Sequence, residues 1–216
     1  MLFRSALVMP ALVVALALTL GRSAWVGASL AVGLLFALKD FRLTALLPLL
    51  IALIFAMAPD TVTKRLMSIF DVQDPTNQDR LAMLEIGARV VNDHPWTGVG
   101  PNMVPRVYEK YRPDYAVNAV NPHLHNVPMQ IAAERGLPAL ALWMAFIGTL
   151  GIGLRERFRA VRLRTRAAAA TAATVGMLAA GLFEYNFGDS EFLMLFLLLI
   201  TAPFAGQWAS SDTTSA

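Results

Sequence analysis

The chain has no cysteine among its 216 residues, which removes disulfide frameworks, thiolate metal sites and cysteine nucleophiles together. Charge is scarce as well: Asp, Glu, Lys and Arg make up 15% of the sequence, against about 25% in an ordinary soluble domain. Histidine occurs only three times. Apolar residues fill the space at 56%, above the about 45–50% of a soluble domain, which excludes a disordered chain and argues against a water-soluble enzyme. The net charge is a small +3, and six of the 18 Lys and Arg lie in the single run Arg155–Arg166, so no nucleic-acid partner is indicated. This is the composition of an integral membrane protein with a sizeable portion outside the bilayer.

A bilayer core of about 30 Å takes roughly 20 apolar residues per helix. Six stretches approach that length: Ser5–Gly21, Ala24–Leu38, Leu43–Ala58, Leu137–Leu154, Ala167–Phe183 and Phe192–Trp208. The first also has the make-up of a signal peptide, with Arg4 as its basic end and small residues near Ser23–Ala24. Lys and Arg in short connections mark the cytoplasmic side. The arginine run and the Lys39–Arg42 turn therefore lie inside, and Asp60–Gly136 lies outside with Arg22 and the Glu184–Glu191 turn. The expected fold is all-α and polytopic. Three spans occupy residues 1–58, a helical periplasmic loop domain 59–136, three further spans 137–208, and a polar tail 209–216.

Within the outer segment, a helix is expected from about Asp79 to Asn92, capped by Thr76 or Asn77, with Leu81, Leu84, Ala88 and Val91 as its apolar stripe. Pro95 ends it, and Trp96–Pro101 forms a turn-rich loop. Pro105 opens a second helix in which Val104, Val107, Tyr108 and Tyr111 share a face, and Pro113 closes it. Asn126 caps a third helix that stops at Gly136, with Pro138 starting the next span.

Three features carry chemical potential. His123 and His125 precede a helix start, where the dipole disfavours the charged imidazole and leaves it able to accept a proton; a capping segment with solvated histidines is the plainer alternative. Their His-x-His spacing also suits a metal, but no third ligand stands at a familiar spacing, so no metal site is expected. Arg22 lies between two apolar stretches, where an arginine either finds an anion or snorkels to the interface. Arg80 sits near a helix N-terminus that already favours anions, while Arg89, nine residues on, faces the opposite side. Gly98 and Gly100 form a Gly-x-Gly that either approaches a phosphate or simply turns the chain. Glu184, Asp189 and Glu191 either pair with basic groups of the outer segment or mark a solvated turn, the plainer reading.

The ordered series Asp79-Arg80, His94-Pro95-Trp96-Thr97-Gly98-Val99-Gly100-Pro101, His123-Leu124-His125-Asn126 and Glu134-Arg135-Gly136-Leu137-Pro138 resembles the bacterial O-antigen ligase and polymerase superfamily. Leu20-Gly21-Arg22-Ser23-Ala24-Trp25 resembles that family's arginine-tryptophan element at the outer end of a span, with glycine before the arginine and a compressed spacing. The resemblance implies a membrane glycosyltransferase of the bacterial inner membrane with a periplasmic active face. Its donor would be an undecaprenyl-diphosphate-linked glycan, and its acceptor a sugar hydroxyl of lipid A–core or of a growing glycan. It implies no cofactor and no metal. Position by position, it makes Arg22, Arg80 and His125 the catalytic set, with Arg22, Arg80, His123, Asn126, Gly98 and Gly100 as substrate-binding candidates. Family members are commonly longer, so the resemblance also implies a C-terminal portion that relies on a missing N-terminal half or a partner subunit to enclose the lipid. Exopolysaccharide polymerisation and a non-catalytic transport or assembly role that holds an anionic lipid are the competing readings.

Overall fold

The computed structural model describes residues 2–19, 21–57, 60–68, 71 and 73–205, and all its regular structure there is helical. The order is α1 (Leu2–Leu18), α2 (Arg22–Lys39), α3 (Leu46–Met57), α4 (Asp60–Met67), α5 (Pro75–Asp93), α6 (Val104–Tyr111), α7 (Val127–Arg159), α8 (Arg164–Gly181) and α9 (Ser190–Thr201). Short 3-10 turns at Phe41–Ala45 and Asn186–Gly188 precede α3 and α9.

Among the described residues, α2 and α7 are long and apolar enough to cross a membrane, and α9 is a shorter apolar helix. Few residues of α2 and α7 are buried inside the molecule, unlike the core helix of a soluble protein. Leu142 and Ile152 on α7 and Leu195 and Leu198 on α9 are all exposed, an apolar surface that suits an apolar solvent.

Helix bounds depart from the sequence reading where local polar groups intervene. The third stretch begins as a 3-10 turn because the Asp40 side chain accepts from the Arg42 backbone N–H, leaving α3 only 12 residues. The last stretch is helical over 12 residues, and its end at Trp208, with the polar tail, lies outside the described residues.

Helix α2 lies against α8 through small residues. A Cβ at Gly27 would stand 2.6 Å from the Gly176 carbonyl oxygen, so the two backbones meet directly. The segment from α5 to the start of α7 has its own core of Met83, Ile86 and Val90 from α5, Val104, Tyr108 and Tyr111 from α6, Leu124 before α7 and Ala133 within it. The expected α6 face is confirmed. The expected α5 stripe is not: α5 buries Ala82, Met83, Ile86, Gly87 and Val90, whereas Leu81 and Leu84 are exposed. Both sets satisfy helical spacing, and the partners α6 and α7 select between them. α5 also starts earlier than expected, because Asp74 caps it by accepting from Thr76 N–H and Pro75 fills the first helical position.

Asn126 caps α7 as expected, accepting from Met129 N–H. The helix assignment runs through to Arg159, but Gly136 (φ 81°, ψ 170°) breaks it into two arms. Leu137 N–H then donates to the Pro95 carbonyl at 2.7 Å, which locks the turn after α5 onto the break. A Cβ at Gly136 would fall on the Trp96 carbonyl carbon and oxygen, and its positive φ strains any other residue. Gly136→Ala is therefore expected to cost on the order of 3 kcal/mol, read as a lower unfolding midpoint in detergent; an unchanged midpoint would contradict the interlock.

Candidate active site

Where α2, α5 and the ends of α7 and α8 meet, there is a half-open cavity of about 300 Å³. Its polar lining comes from Arg22, Arg80, Asn77 and His125, with Ser23 and Asp71 beside them. Val26, Leu81, Leu84, Leu124, Leu182 and Phe183 make the rest apolar. Leu81 and Leu84, from the expected apolar stripe of α5, thus wall this cavity.

Arg22 opens α2 and is buried, with 4% of its surface exposed. One terminal nitrogen donates to the Ser68 carbonyl at 2.9 Å and its hydroxyl at 3.2 Å, and the other to Asp74 Oδ1 at 3.1 Å. Its Nε has no partner among the described residues. Burial works to raise the Asp74 pKa, but hydrogen bonds from Thr76 and Arg22 and the Arg22 charge outweigh it and hold the carboxyl below its usual range. The arginine is therefore clamped to the cap of α5, the helix that carries Arg80. Arg80 lines the cavity near that N-terminus. Arg89 points elsewhere, donating to the Tyr111 carbonyl and to Glu85.

The loop that delivers the histidines is pinned by a polar network built on buried Asp79 and Asn121. Asp79 accepts from the Asn118 backbone N–H at 3.2 Å, from Asn118 Nδ2 at 2.7 Å and from Asn121 Nδ2 at 3.1 Å. Asn121 Nδ2 also donates to the Tyr108 hydroxyl, which in turn donates to the Asn118 carbonyl. Gln130 Oε1 then accepts from Leu124 N–H at 2.7 Å. Asp79→Ala removes the acceptor that joins Asn118 and Asn121, while exposed Asn118 can turn to water and Asn121 keeps the Tyr108 hydroxyl, so a loss of roughly 1–2 kcal/mol is expected in the unfolding midpoint, with Asp79→Asn recovering part of it.

His125 follows with φ 48°, a left-handed conformation that is uncommon outside glycine. Its Nδ1 stands 2.7 Å from Glu184 Oε1. The same oxygen accepts from Tyr185 N–H at 3.0 Å and lies 3.8 Å from His123 Nε2. Glu184 is thus no merely solvated turn residue: it lies 59 positions from His125 in sequence and joins it through the packing of α8. The sequence offered Glu184 a basic partner as the less plain alternative, and nothing local to it named His125. Burial tends to raise the Glu184 pKa, but the His125 hydrogen bond and charge, with Tyr185 N–H and His123, hold it below the ordinary carboxylate value. Burial lowers the His123 pKa, and the neighbouring His125 adds to that against the opposing pull of Glu184 and Asp189, which favours a neutral ring at pH 7.

Ligand-capable atoms of His123, His125 and Glu184 lie within 4.8 Å of one another, a third partner that spacing along the sequence could not disclose. The closest separation, 2.7 Å, is that of a hydrogen-bonded pair; two ligands at about 2.0–2.1 Å on a tetrahedral ion would stand farther apart.

The structure brings Arg22, Arg80 and His125 to one cavity and places the other candidates differently. Asn126 uses its amide to cap α7 and to donate to the Leu182 carbonyl. His123 is at Glu184, stacked edge-on to His125 at 4.1 Å between ring centroids. Gly98 and Gly100 (φ 62° and 103°) belong to a turn seated on α7, where Val99 and Gly100 N–H donate to the Ala133 and Glu134 carbonyls. A side chain at Gly98 would strike the Glu134 backbone, so its glycine is explained by this close approach.

The profile of the O-antigen ligase family matches residues 7–144, which takes in Arg22, Arg80, His125 and the arm of α7 behind them. No curated protein matches the chain.

Proposed function

The chain belongs to the O-antigen ligase family, a glycosyltransferase-like family of ligases and polymerases, and on that premise we propose that it transfers a glycan from an undecaprenyl-diphosphate carrier to a sugar hydroxyl of lipid A–core. The observation that carries the reading is the convergence of Arg22, Arg80 and His125 on one cavity, with Asn77, Ser23 and Asp71 beside them and six apolar residues making the rest of the wall. A glycosyl diphosphate already contains a good leaving group, so transfer needs charge neutralisation more than a strong acid. The acceptor hydroxyl oxygen attacks the anomeric carbon as His125 takes its proton. The bond from that carbon to the diphosphate oxygen breaks with inversion, and the carrier diphosphate leaves with the electron pair. Arg80, with the Arg22 Nε edge, meets the negative charge that develops there. No metal is required for these steps. The apolar wall of Val26, Leu81, Leu84 and Phe183 suits the polyprenyl end of the donor and keeps water from the charges.

The topology belongs to the same proposal: six spans, the 59–136 domain and the cavity on the periplasmic face of the inner membrane, and the arginine run inside. The chain's lack of cysteine makes this directly testable. In cells with a permeabilised outer membrane, an impermeant maleimide is expected to label A119C and to spare V161C until the inner membrane is opened. Equal labelling of both before opening would reverse or abolish the assigned orientation.

For activity, the chain is expressed in a ligase-null and a polymerase-null bacterium, alone and extended upstream in frame. Lipid A-linked ladders in the first host, lost with R80A or H125A, are expected. Longer carrier-linked chains in the second host instead would make it a polymerase. Failure of every well-expressed form in both hosts would overturn the glycan-transfer reading in favour of a non-catalytic role.

A further inference from the structure

The second ring nitrogen of His125 is the one left for chemistry, because the first is taken. Its Nδ1 sits 2.7 Å from Glu184 Oε1, and His125 lines the cavity shared with Arg22 and Arg80. We propose that Glu184 is the positioning residue of His125, accepting a hydrogen bond from Nδ1–H and so fixing the tautomer whose bare Nε2 takes the acceptor proton. This rests on the reading of His125 as the base, and names the group that makes it one.

Three observations support the assignment. Glu184 is held ionised, with a pKa below the usual carboxylate value, and a carboxylate can only accept, so the proton of the pair belongs on His125 Nδ1. The carboxylate is itself oriented: Tyr185 N–H donates to the same oxygen at 3.0 Å. The two segments are also tied independently of the pair. Asn126 Nδ2 donates to the Leu182 carbonyl at 3.1 Å, and Gly181 leaves so little room that a Cβ there would stand 3.0 Å from Val127 Cγ2. The end of α8 and the start of α7 are thereby held in register, and the left-handed backbone of His125 turns its ring toward that register. His123 is 3.8 Å from the carboxylate oxygen, outside hydrogen-bond range, and its burial keeps it a poor competitor for the charge.

Proton balance follows. When the acceptor hydroxyl attacks, its proton passes to Nε2, the imidazolium formed is stabilised by the Glu184 charge through Nδ1–H, and the carboxylate does not take the proton. Replacing such a carboxylate by its amide has two consequences. The charge is lost, and the amide N–H₂ can donate to Nδ1, which stabilises the tautomer with Nε2 already protonated. In a serine-hydrolase triad that change costs about 10⁴ in kcat.

The decisive experiment uses the whole chain in lipid nanodiscs with ¹⁵N-labelled histidine, at about pH 9, well above the ordinary histidine pKa. Only three histidines contribute, so H94Q and H123Q assign the remaining signal pair. The expected spectrum has Nδ1 of His125 protonated and Nε2 bare, and E184Q moves the proton toward Nε2. A wild-type spectrum with Nε2 protonated overturns the proposal whether or not any variant folds. In transfer assays, E184Q is expected to lower kcat by about 10²–10⁴-fold with KM within about threefold, and E184D to restore part of it. Full kcat in E184Q alongside an inactive H125A would defeat the role of Glu184 alone. Full activity in H125A would defeat the base on which the proposal rests.

Discussion

Replacing His125 with alanine is expected to lower glycan transfer by about 10²–10⁴-fold while leaving the chain folded. The side chain is a quarter exposed and makes one hydrogen bond, to Glu184, whose carboxylate keeps the Tyr185 N–H as a partner. Removing the ring therefore leaves no buried donor or acceptor stranded, although alanine must still adopt the left-handed backbone. Stability should shift little. H125A with unchanged transfer would show that the acceptor hydroxyl is activated elsewhere or needs no base. A kcat loss at constant KM would place the effect in the transition state, where proton transfer belongs.

Arg22→Ala is expected to do the opposite, losing stability as well as activity. Arg22 is buried and bridges Ser68 and Asp74, so its removal takes the counter-charge from a carboxylate that keeps the Thr76 N–H, and leaves the Ser68 carbonyl to Asn77 Nδ2. Breaking such a pair from one side costs roughly 3 kcal/mol or more. Arg22→Lys keeps the charge but cannot span both partners with one ammonium, and should recover less than half of the loss. A double-mutant cycle with Asp74→Ala should give a coupling of about 1–3 kcal/mol, whereas additive losses would mean that the pair is incidental. The same pair predicts an acid-side slope. Asp74 has a folded pKa below its unfolded value, so its contribution is fully present above about pH 5 and is lost as pH falls through the folded value. R22A should flatten that slope in unfolding midpoints between about pH 5 and pH 3.

The double role of Arg22 bears on how the site works. An arginine that holds the cap of α5 also fixes where Arg80 stands, since Arg80 lies one turn into the same helix. Activity lost in R22A thus reports both a missing charge and a displaced partner. R80A is the cleaner probe of diphosphate binding, and its effect should appear without the stability loss of R22A.

Much of the fold was determined by local rules in the sequence alone. Helices begin at Asn126 and Val104 and break at Gly136 because caps, proline and glycine act within a few residues of themselves. Apolar length marked α2 and the arm of α7 after Gly136 for the same reason. The motif order also pointed to Arg22, Arg80 and His125 before any geometry was available. Only the tertiary structure decided which face of α5 is core, because Ala82–Met83–Ile86–Val90 and Leu81–Leu84–Ala88–Val91 share one period and differ only in what stands opposite. It alone paired Arg22 with Asp74 and His125 with Glu184. Those contacts depend on α2 lying against α8 and on the register of two helix ends. Both are set by long-range packing, for which adjacent residues carry no signal.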